Sequence, residues 1–186
     1  MKSLRIFTMF VLIFAMTLSS SSVSLAANPG KNLAPNPSFE KSNKEKTLPM
    51  GWDHTGGMTF SWVKGIAYNG GHSICISNVP ADRSGEWTTN VPILITPGAT
   101  YTFSAYIKGD YDHEVMIHAW TLDADGNYNG GGMGSNPLSF NNLTWTYGEV
   151  SFTASMDSAS VILALGINNL GAASTGTICY DAVALR

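Results

Sequence analysis

The sequence is short of charge, of cysteine and of helical periodicity. Asp, Glu, Lys and Arg make up 12% of its 186 residues, against about 25% in an average soluble protein. Lys and Arg number 10 and Asp and Glu 13, so no positive excess is present to neutralise phosphates, which excludes a basic nucleic-acid binder. The 2 cysteines are too few for a mini-protein held together by disulfides. Apolar residues almost never recur at helical spacing after Ala27, which excludes a helical bundle.

The N-terminal segment, residues 1–27, has the layout of a secretory signal peptide. Lys2 and Arg5 give a positive start, an apolar run follows from Ile6 to Leu18, and small residues lead to Ala27. The run is shorter than the roughly 20 residues that a membrane span needs, and an uncleaved anchor is the alternative. We predict a mature domain of residues 28–186 that is secreted, extracellular and not in a membrane. Its net charge is −5, because a chain of net charge −3 loses two positive side chains with the leader.

Period-two alternation of apolar and polar residues dominates the mature chain. Within Thr100–Lys108, one face collects the apolar residues Tyr101, Phe103, Ala105 and Ile107. The polar run Gly109–His113 predicts a hairpin turn, after which Glu114–Leu122 alternates again. Clusters of Gly, Pro, Asn and Asp separate further short strands. The pattern predicts an all-β fold, a single two-sheet antiparallel β-sandwich or jelly roll.

The order of short motifs along the chain is also informative. They are, in sequence, Asn32–Glu40, Pro49–Trp52, Gly70–Ser73, Pro97–Lys108 and Tyr180–Leu185. This order resembles that of the carbohydrate-binding modules of families 4, 9 and 22, which are galactose-binding-like jelly rolls. The resemblance spans Asn32 to Leu185. It implies a β-sandwich that binds polysaccharide or oligosaccharide without cleaving it, usually with one structural calcium ion.

Two acidic residues match the calcium positions of those modules. Glu40 closes the opening motif, and Asp181 lies in the final Tyr-Asp-Ala-Val motif. The resemblance therefore implies a structural Ca2+ held in part by these two carboxylates. Calcium takes six to eight oxygen ligands, so backbone carbonyls must supply the rest. The alternative is that Glu40 is a solvated loop residue and that Asp181 forms only local hydrogen bonds.

Sugar rings stack on flat aromatic side chains that face the solvent. If the alternation places Ile107 in the core, then Tyr106 points outward, and the same parity turns His118 and Trp120 outward in the next strand. Because we expect a hairpin to join the two strands, these three side chains should share one open face. Trp62 is a fourth candidate, from an earlier strand. For each of the four, burial in the core or as sheet cover is the alternative.

The remaining tryptophans are weaker candidates. Trp87 begins a strand and fits a ligand platform or the end of the core, whereas Trp52 and Trp145 are assigned to packing. In the platform, Trp and Tyr would stack on sugar rings while His118 would hydrogen-bond their hydroxyls. Low charge suits a neutral partner such as a β-glucan or a xylan-like polysaccharide.

We predict a monomeric module without enzymatic activity, because no convincing acid/base pair is present. Asp110, Asp112 and Glu114 alternate, but they lie in or beside the predicted turn. One alternative is a small glycoside hydrolase or lyase on the same jelly roll, since the fold does not fix the function. Another is a structural or adhesive surface protein.

The sequence leaves open whether Cys75 and Cys179 pair. Export to an oxidising compartment favours a disulfide. If Ile74 faces the core, Cys75 points outward, and if Val183 faces the core, Cys179 points inward. Opposite faces cannot be bridged unless a bulge changes the parity of one strand.

Overall fold

The computed structural model describes residues 30–130, 138–169 and 171–186, and the predicted leader lies outside these ranges. The regular secondary structure in these ranges consists of β-strands, and all strand pairs are antiparallel. No helix in this part of the chain could cross a membrane. The strands are β1 (Trp52–Thr55), β2 (Thr59–Lys64), β3 (His72–Val79), β4 (Ser84–Thr89), β5 (Ile93–Leu94), β6 (Thr100–Leu122), β7 (Leu138–Thr153), β8 (Ser160–Asn168) and β9 (Ser174–Leu185).

Two sheets share the long strand β6. The first half of β6 pairs with β9 and β7, and its second half, Glu114–Leu122, pairs with β8. One sheet, here the β9 sheet, therefore has the order β2-β3-β9-β6-β7. The other, the β8 sheet, has the order β6-β8-β4-β1, and β5 also pairs with β8. The predicted two-sheet antiparallel β-sandwich is confirmed.

The predicted hairpin turn at Gly109–His113 is wrong, because β6 continues through it. Ile107 and Tyr111 are both fully buried, so the apolar alternation extends across the polar run. Gly109 lies so close to β9 that a side-chain carbon there would collide with the carbonyl oxygen of Thr177. Asp110 accepts a hydrogen bond from the backbone N–H of Thr177 at 2.9 Å. The polar run marks the passage of the strand from one sheet to the other.

The inward side chains of both sheets form one apolar core. Ile74 and Ile107 of the β9 sheet and Leu165 of the β8 sheet are fully buried. Tyr180 of β9 donates its hydroxyl hydrogen to the carbonyl oxygen of Gly166 in β8, which links the two sheets through the core. Burial raises the pKa of this hydroxyl well above its usual range. It therefore stays protonated and able to donate.

Two tryptophans close the core near β1 and β4. Trp52 is 1% exposed and Trp87 is fully buried. The indole N–H of Trp52 donates to the carbonyl oxygen of Pro35 at 2.9 Å, and that of Trp87 to the carbonyl oxygen of Cys75 at 3.2 Å. Buried polar groups normally require such partners. The assignment of Trp52 to packing is confirmed, and Trp87 belongs to the core.

A β-bulge near the C-terminus brings the two cysteines onto one face. Cys75 of β3 lies directly opposite Cys179 of β9, and the two form a disulfide. The parity argument against pairing assumed an unbroken alternation in β9. Ala182, however, has φ of +49°, and the register between β6 and β9 shifts at this point. Tyr180 and Val183 consequently both face the core, and Cys179 points outward like Cys75.

The disulfide gives a first prediction. It closes a loop with a sequence separation of 104 residues, which the chain-entropy account values at about 5 kcal/mol of unfolding free energy. Denatured protein should show no reactive thiol before reduction and two after it. The double variant C75A/C179A should lower the unfolding free energy by about that amount in urea titrations. Thiols that react without reductant would contradict the pairing.

Candidate functional site

The outer face of the β8 sheet is hollowed above its central strand. Gly166 of β8 pairs with Met116 of β6 on one side and with Glu86 of β4 on the other. A Cβ atom at Gly166 would lie 2.8 Å from Cβ of Glu86 and 3.3 Å from Cε of Met116. The Met116 side chain therefore lies over the glycine, Glu86 borders it on the other side, and both residues line a cleft. The cleft has a volume of about 490 Å³ and is bounded by Thr55 beyond β4 and by Trp120 on β6.

An aromatic group forms the β6 wall of this cleft. Trp120 is partly exposed, and its ring meets His118 edge-on with 4.9 Å between centroids. On its other side it meets Tyr128, which is 51% exposed, at 5.6 Å. His118 and Trp120 lie on the outer face, as parity predicted, because Ile117 and Ala119 beside them are buried. Rings packed edge-on restrict the orientation of the indole.

His118 supplies a polar atom that needs a partner. The residue is only 9% exposed, and among the described residues Nδ1 has no hydrogen-bond partner. Burial lowers the pKa of the imidazole, and the nearby Glu114 carboxylate partly offsets this effect. The ring is therefore neutral at neutral pH, with one nitrogen that donates and one that accepts.

The remaining polar groups of the cleft are carboxyl, amide and hydroxyl groups. Burial raises the pKa of Glu86 above its ordinary value. Glu114, beside the cleft, accepts a hydrogen bond at Oε2 from Nδ2 of Asn168 at 3.0 Å. Ser84 pairs with Asn168 across β4 and β8, and both line the cleft. Such a set can donate to and accept from the hydroxyl groups of a neutral ligand.

The environment of His118 predicts a pH dependence of stability. Its folded-state pKa is depressed below the ordinary value of 6.5, so the unfolded chain takes up the proton more readily. The stability due to the neutral ring is present above that value and is lost as the pH falls through the folded pKa. Glu86 acts in the opposite direction, since its raised pKa penalises the ionised form at higher pH.

We therefore expect acidification to cost wild type more stability than it costs the variant H118Q. Urea unfolding of both proteins at about pH 7.5 and at about pH 5.5 measures this difference. The titration of Glu86 is common to both proteins and cancels in the comparison. Parallel changes in the two proteins would show that His118 does not titrate differently in the folded state.

The structure does not bring Tyr106 to the cleft. Tyr106 lies in the half of β6 that belongs to the β9 sheet, opposite Tyr147 of β7. Its ring is stacked on Tyr68, with 3.5 Å between centroids. The prediction that Tyr106, His118 and Trp120 share one face is wrong, because it depended on the hairpin. A continuous strand places Tyr106 and the other two on the outer faces of opposite sheets.

Trp62 also lies away from the cleft. It is opposite Ile74 in the pairing of β2 and β3, and so on the core side of the β9 sheet. Its indole N–H donates to the carbonyl oxygen of Phe39 at 2.8 Å, and its ring stacks on His72 at 4.8 Å. Trp62 is partly buried against the core. The structure therefore assigns it to sheet cover, the packing alternative for this residue.

Sequence reasoning missed Glu86 in the cleft and Tyr128 beside Trp120, and it placed Trp145 differently. Glu86 could have been found by parity, because it precedes the buried Trp87 in a strand. Tyr128 carries no such signal, since it follows β6 outside any strand and is positioned by a single bridge to Leu122. Trp145, assigned to packing, is partly exposed near Tyr68, with 6.3 Å between ring centroids.

Glu40 and Asp181 hold one loop, residues 68–72, from two sides. Glu40 Oε1 accepts two backbone N–H groups at 2.7 Å from the end of the loop, and Oε2 lies 3.0 Å from Nδ1 of His72. Asp181 Oδ2 accepts two backbone N–H groups from the start of the loop, at 2.6 and 2.8 Å. Gly70 has φ of +83°, and a Cβ there would lie 2.5 Å from Glu40 Oε1, so the loop requires glycine.

The same two carboxylates fit the chemistry of a calcium site. Burial raises the pKa of Asp181, and the charge of Glu40 adds to this rise, so the groups sense one another. Within the described ranges, neither forms an ion pair with Lys or Arg. Glu40 is paired instead with the imidazole of His72, at 3.0 Å. Neighbouring carboxylates are donors that Ca2+ prefers. No third His, Cys, Asp or Glu joins them in this part of the chain, so carbonyl oxygens or water would complete the ligand set.

Fold and cleft together define the class of the protein. A two-sheet antiparallel sandwich with an aromatic-walled, partly polar cleft is a β-sandwich ligand-binding module. A family model described as carbohydrate binding domain, covering modules 4 and 9, matches residues 31–172. The chain therefore belongs to this carbohydrate-binding family, and the resemblance seen in the motif order is confirmed. A comparison with curated proteins finds no match.

Solved structures with the same fold include isolated modules and a part of a larger protein. The Family 16 Carbohydrate Binding Module-2 aligns over 83% of this chain and 99% of its own, with 23% identity and a TM-score of 0.57. The CBM22-1 xylan-binding domain from Paenibacillus barcinonensis Xyn10C aligns over 87% and 97%, with 16% identity and a TM-score of 0.59. The enzymatically active domain of bacteriophage CBA120 tailspike protein 4 has 16% identity and a TM-score of 0.63. The match covers 83% of this chain but only 21% of the tailspike chain, and at these identities the likeness shows the fold alone.

Proposed function

We propose that this protein is a secreted, non-catalytic module that binds a neutral β-glucan or xylan-like polysaccharide in the cleft of the β8 sheet. The observation that carries the proposal is the partly exposed indole of Trp120 in the wall of that cleft. An aromatic ring beside a row of polar groups matches a sugar ring, which has an apolar C–H face and a rim of hydroxyls.

Aromatic and polar residues of the cleft contact different parts of a sugar. Trp120 stacks on a sugar ring, and Tyr128 extends the aromatic surface at its edge. His118 lines the cleft beside the indole, and Glu86 and Asn168 offer a carboxyl and an amide group. Each such hydrogen bond replaces one to water, so the affinity should be modest.

Charge favours a neutral glycan over an anionic one. The mature domain carries a net charge of −5 once the leader is removed, and the two carboxyl groups at the cleft, Glu86 and Glu114, add negative charge locally. No Lys or Arg lines the cleft in the described part of the chain. A polyuronic or sulfated chain would be repelled here. One neighbour in fold is a xylan-binding domain, which supports the xylan-like option.

The arrangement of acids supports the proposed non-catalytic role. Glu86, with its raised pKa, is the one cleft group suited to act as a general acid. The other carboxylate near the cleft, Glu114, already accepts a hydrogen bond from Asn168. Hydrolysis needs a second carboxylate across the scissile bond, and Glu114 lies on the far flanking strand, two residues along the sheet. Release of reducing sugars from xylan or β-glucan by the wild type, lost in E86Q, would favour the hydrolase alternative.

Export and a monomeric state complete the proposal. The leader of residues 1–27 carries the export signal, and the disulfide between Cys75 and Cys179 supports an oxidising destination. The sandwich has its own closed core, so a monomer has no need of a partner chain to fold. If the protein binds no glycan in a wide panel, that result would instead favour a structural or adhesive surface protein.

The main prediction concerns Trp120. Because the indole is partly exposed, W120A should leave the melting temperature nearly unchanged while weakening binding to the preferred polysaccharide by about tenfold, the loss of one aromatic stack. Affinity electrophoresis in gels that contain soluble polysaccharide measures this directly. W62A serves as a matched control, since its effect should be on stability alone. Retardation of W120A equal to that of wild type would refute the cleft.

Calcium bound by Glu40 and Asp181 is the second part of the proposal. The ion would neutralise two neighbouring carboxylates and so tie the opening motif to the last strand. EDTA should lower the melting temperature by about 5 °C from its value at a calcium concentration well above Kd, and added CaCl2 should restore it. The double variant E40Q/D181N should no longer respond to either. A melt that EDTA leaves unchanged would remove the metal and leave the two carboxylates as loop anchors.

A further inference from the structure

A second group of outward aromatic rings lies on the opposite side of the sandwich. Tyr106 of β6 and Tyr147 of β7 are directly opposite one another on the outer face of the β9 sheet. Tyr68, from the loop of residues 68–72, stacks on Tyr106, and Trp145 lies beside Tyr68. Tyr68 is 47% exposed and Tyr147 is 50% exposed. We call these four residues the tyrosine shelf.

The geometry of the shelf leaves about half of Tyr68 exposed. The Tyr68 and Tyr106 rings are nearly parallel, at 11°, so Tyr106 covers one face of Tyr68, which is still 47% exposed. Trp145 stands at 69° to Tyr68, and Tyr147 at 64° to Tyr106. A flat ring flanked by steeply inclined rings makes an open shelf with side walls.

The shelf is held in place before any ligand binds. The backbone N–H of Tyr68 donates to Asp181 at 2.6 Å, and Glu40 anchors the other end of the same loop. Tyr147 donates its hydroxyl hydrogen to Glu149 at 2.7 Å. Fixed rings lose little conformational entropy when a ligand stacks on them, which favours binding.

Hydroxyl groups continue the shelf along the sheet. On the same outer face, Thr102 and Ser151 are paired at 2.8 Å between their hydroxyl oxygens, and Thr100 and Thr153 at 3.0 Å. From Thr100 to Tyr106 the strand extends about 20 Å. A strip of hydroxyls that ends in stacked aromatic rings presents the groups that a chain of sugars would use, apolar faces at one end and hydrogen-bond partners along its length.

We propose that the tyrosine shelf is a second binding site for a neutral oligosaccharide chain, on the face of the sandwich opposite the cleft. The inference rests on the proposed carbohydrate-binding function and extends it to two sites that face in opposite directions. One molecule can then hold two polysaccharide chains, one on each face of the sandwich. The shelf is the weaker site, because an open surface buries less of a sugar ring than a cleft does.

Affinity electrophoresis with wild type and four variants separates the two sites. Gels contain one of five neutral polysaccharides: xylan, hydroxyethyl cellulose, mixed-linkage β-glucan, galactan or mannan. In the best of these, W120A should keep a weak residual retardation, and W120A/Y68A should lose about tenfold more apparent affinity. Y68A alone should leave the stronger cleft binding within about twofold. W120A/Y68F keeps the ring and should retain the residual binding.

Controls address folding and self-association. L94A removes a side chain that is 82% exposed and lies outside both sites, so it should behave as wild type. Each variant is melted to confirm that it is folded, and sedimentation velocity reports its size. A dimer that Y68A dissociates would overturn the proposal in favour of a contact between two copies of the chain.

The outcomes for the two proposals are distinct. Retarded wild type with no residual retardation of W120A at any polysaccharide concentration would overturn the shelf and leave the cleft intact. Residual retardation of W120A that Y68A does not reduce would also overturn it. If wild type is retarded by none of the five polysaccharides, the proposed function fails, and the shelf fails with it.

Discussion

β6 runs unbroken from Thr100 to Leu122 and belongs to both sheets. Its odd-numbered residues face the core on both sides of the crossing, so parity forces its even-numbered residues outward on two opposite surfaces. Tyr106 comes to one surface, and His118 and Trp120 come to the other. A hairpin would have gathered all three on one face. The continuity of this strand is thus the constraint that gives the module a walled cleft on one side and a flat aromatic shelf on the other.

A second constraint lies in the loop of residues 68–72. Its backbone N–H groups point at Glu40 and Asp181, which come from opposite ends of the domain. These hydrogen bonds hold the loop in one position, with or without a cation bound to the carboxylates. They therefore also hold the Tyr68 ring against Tyr106. The same few hydrogen bonds therefore link the two ends of the domain sequence and position the outer aromatic rings.

Period two was enough to predict the fold class, the buried faces of the strands and the outward direction of Trp120. The alternation pattern failed where the polarity of a segment suggested a turn although the strand continues. The polar run after Lys108 has the composition of a turn, but only the close passage of Gly109 beside β9 shows that the strand continues. The bulge at Ala182 that aligns the cysteines has no sequence signature, since alanine rarely adopts a positive φ. Tyr128 meets Trp120 because of a tertiary bridge to Leu122 that no periodicity encodes.

The central claim is that the cleft on the β8 sheet, walled by Trp120, is where glycan binds. Backbone amide NMR of the 15N-labelled protein during titration with xylohexaose, or with a hexasaccharide of the polysaccharide that retards it most, tests this claim most directly. The account predicts the largest shift changes in Glu114–Trp120 of β6 and Ser84–Glu86 of β4, which border the cleft. Saturable binding that leaves both segments unshifted would contradict it.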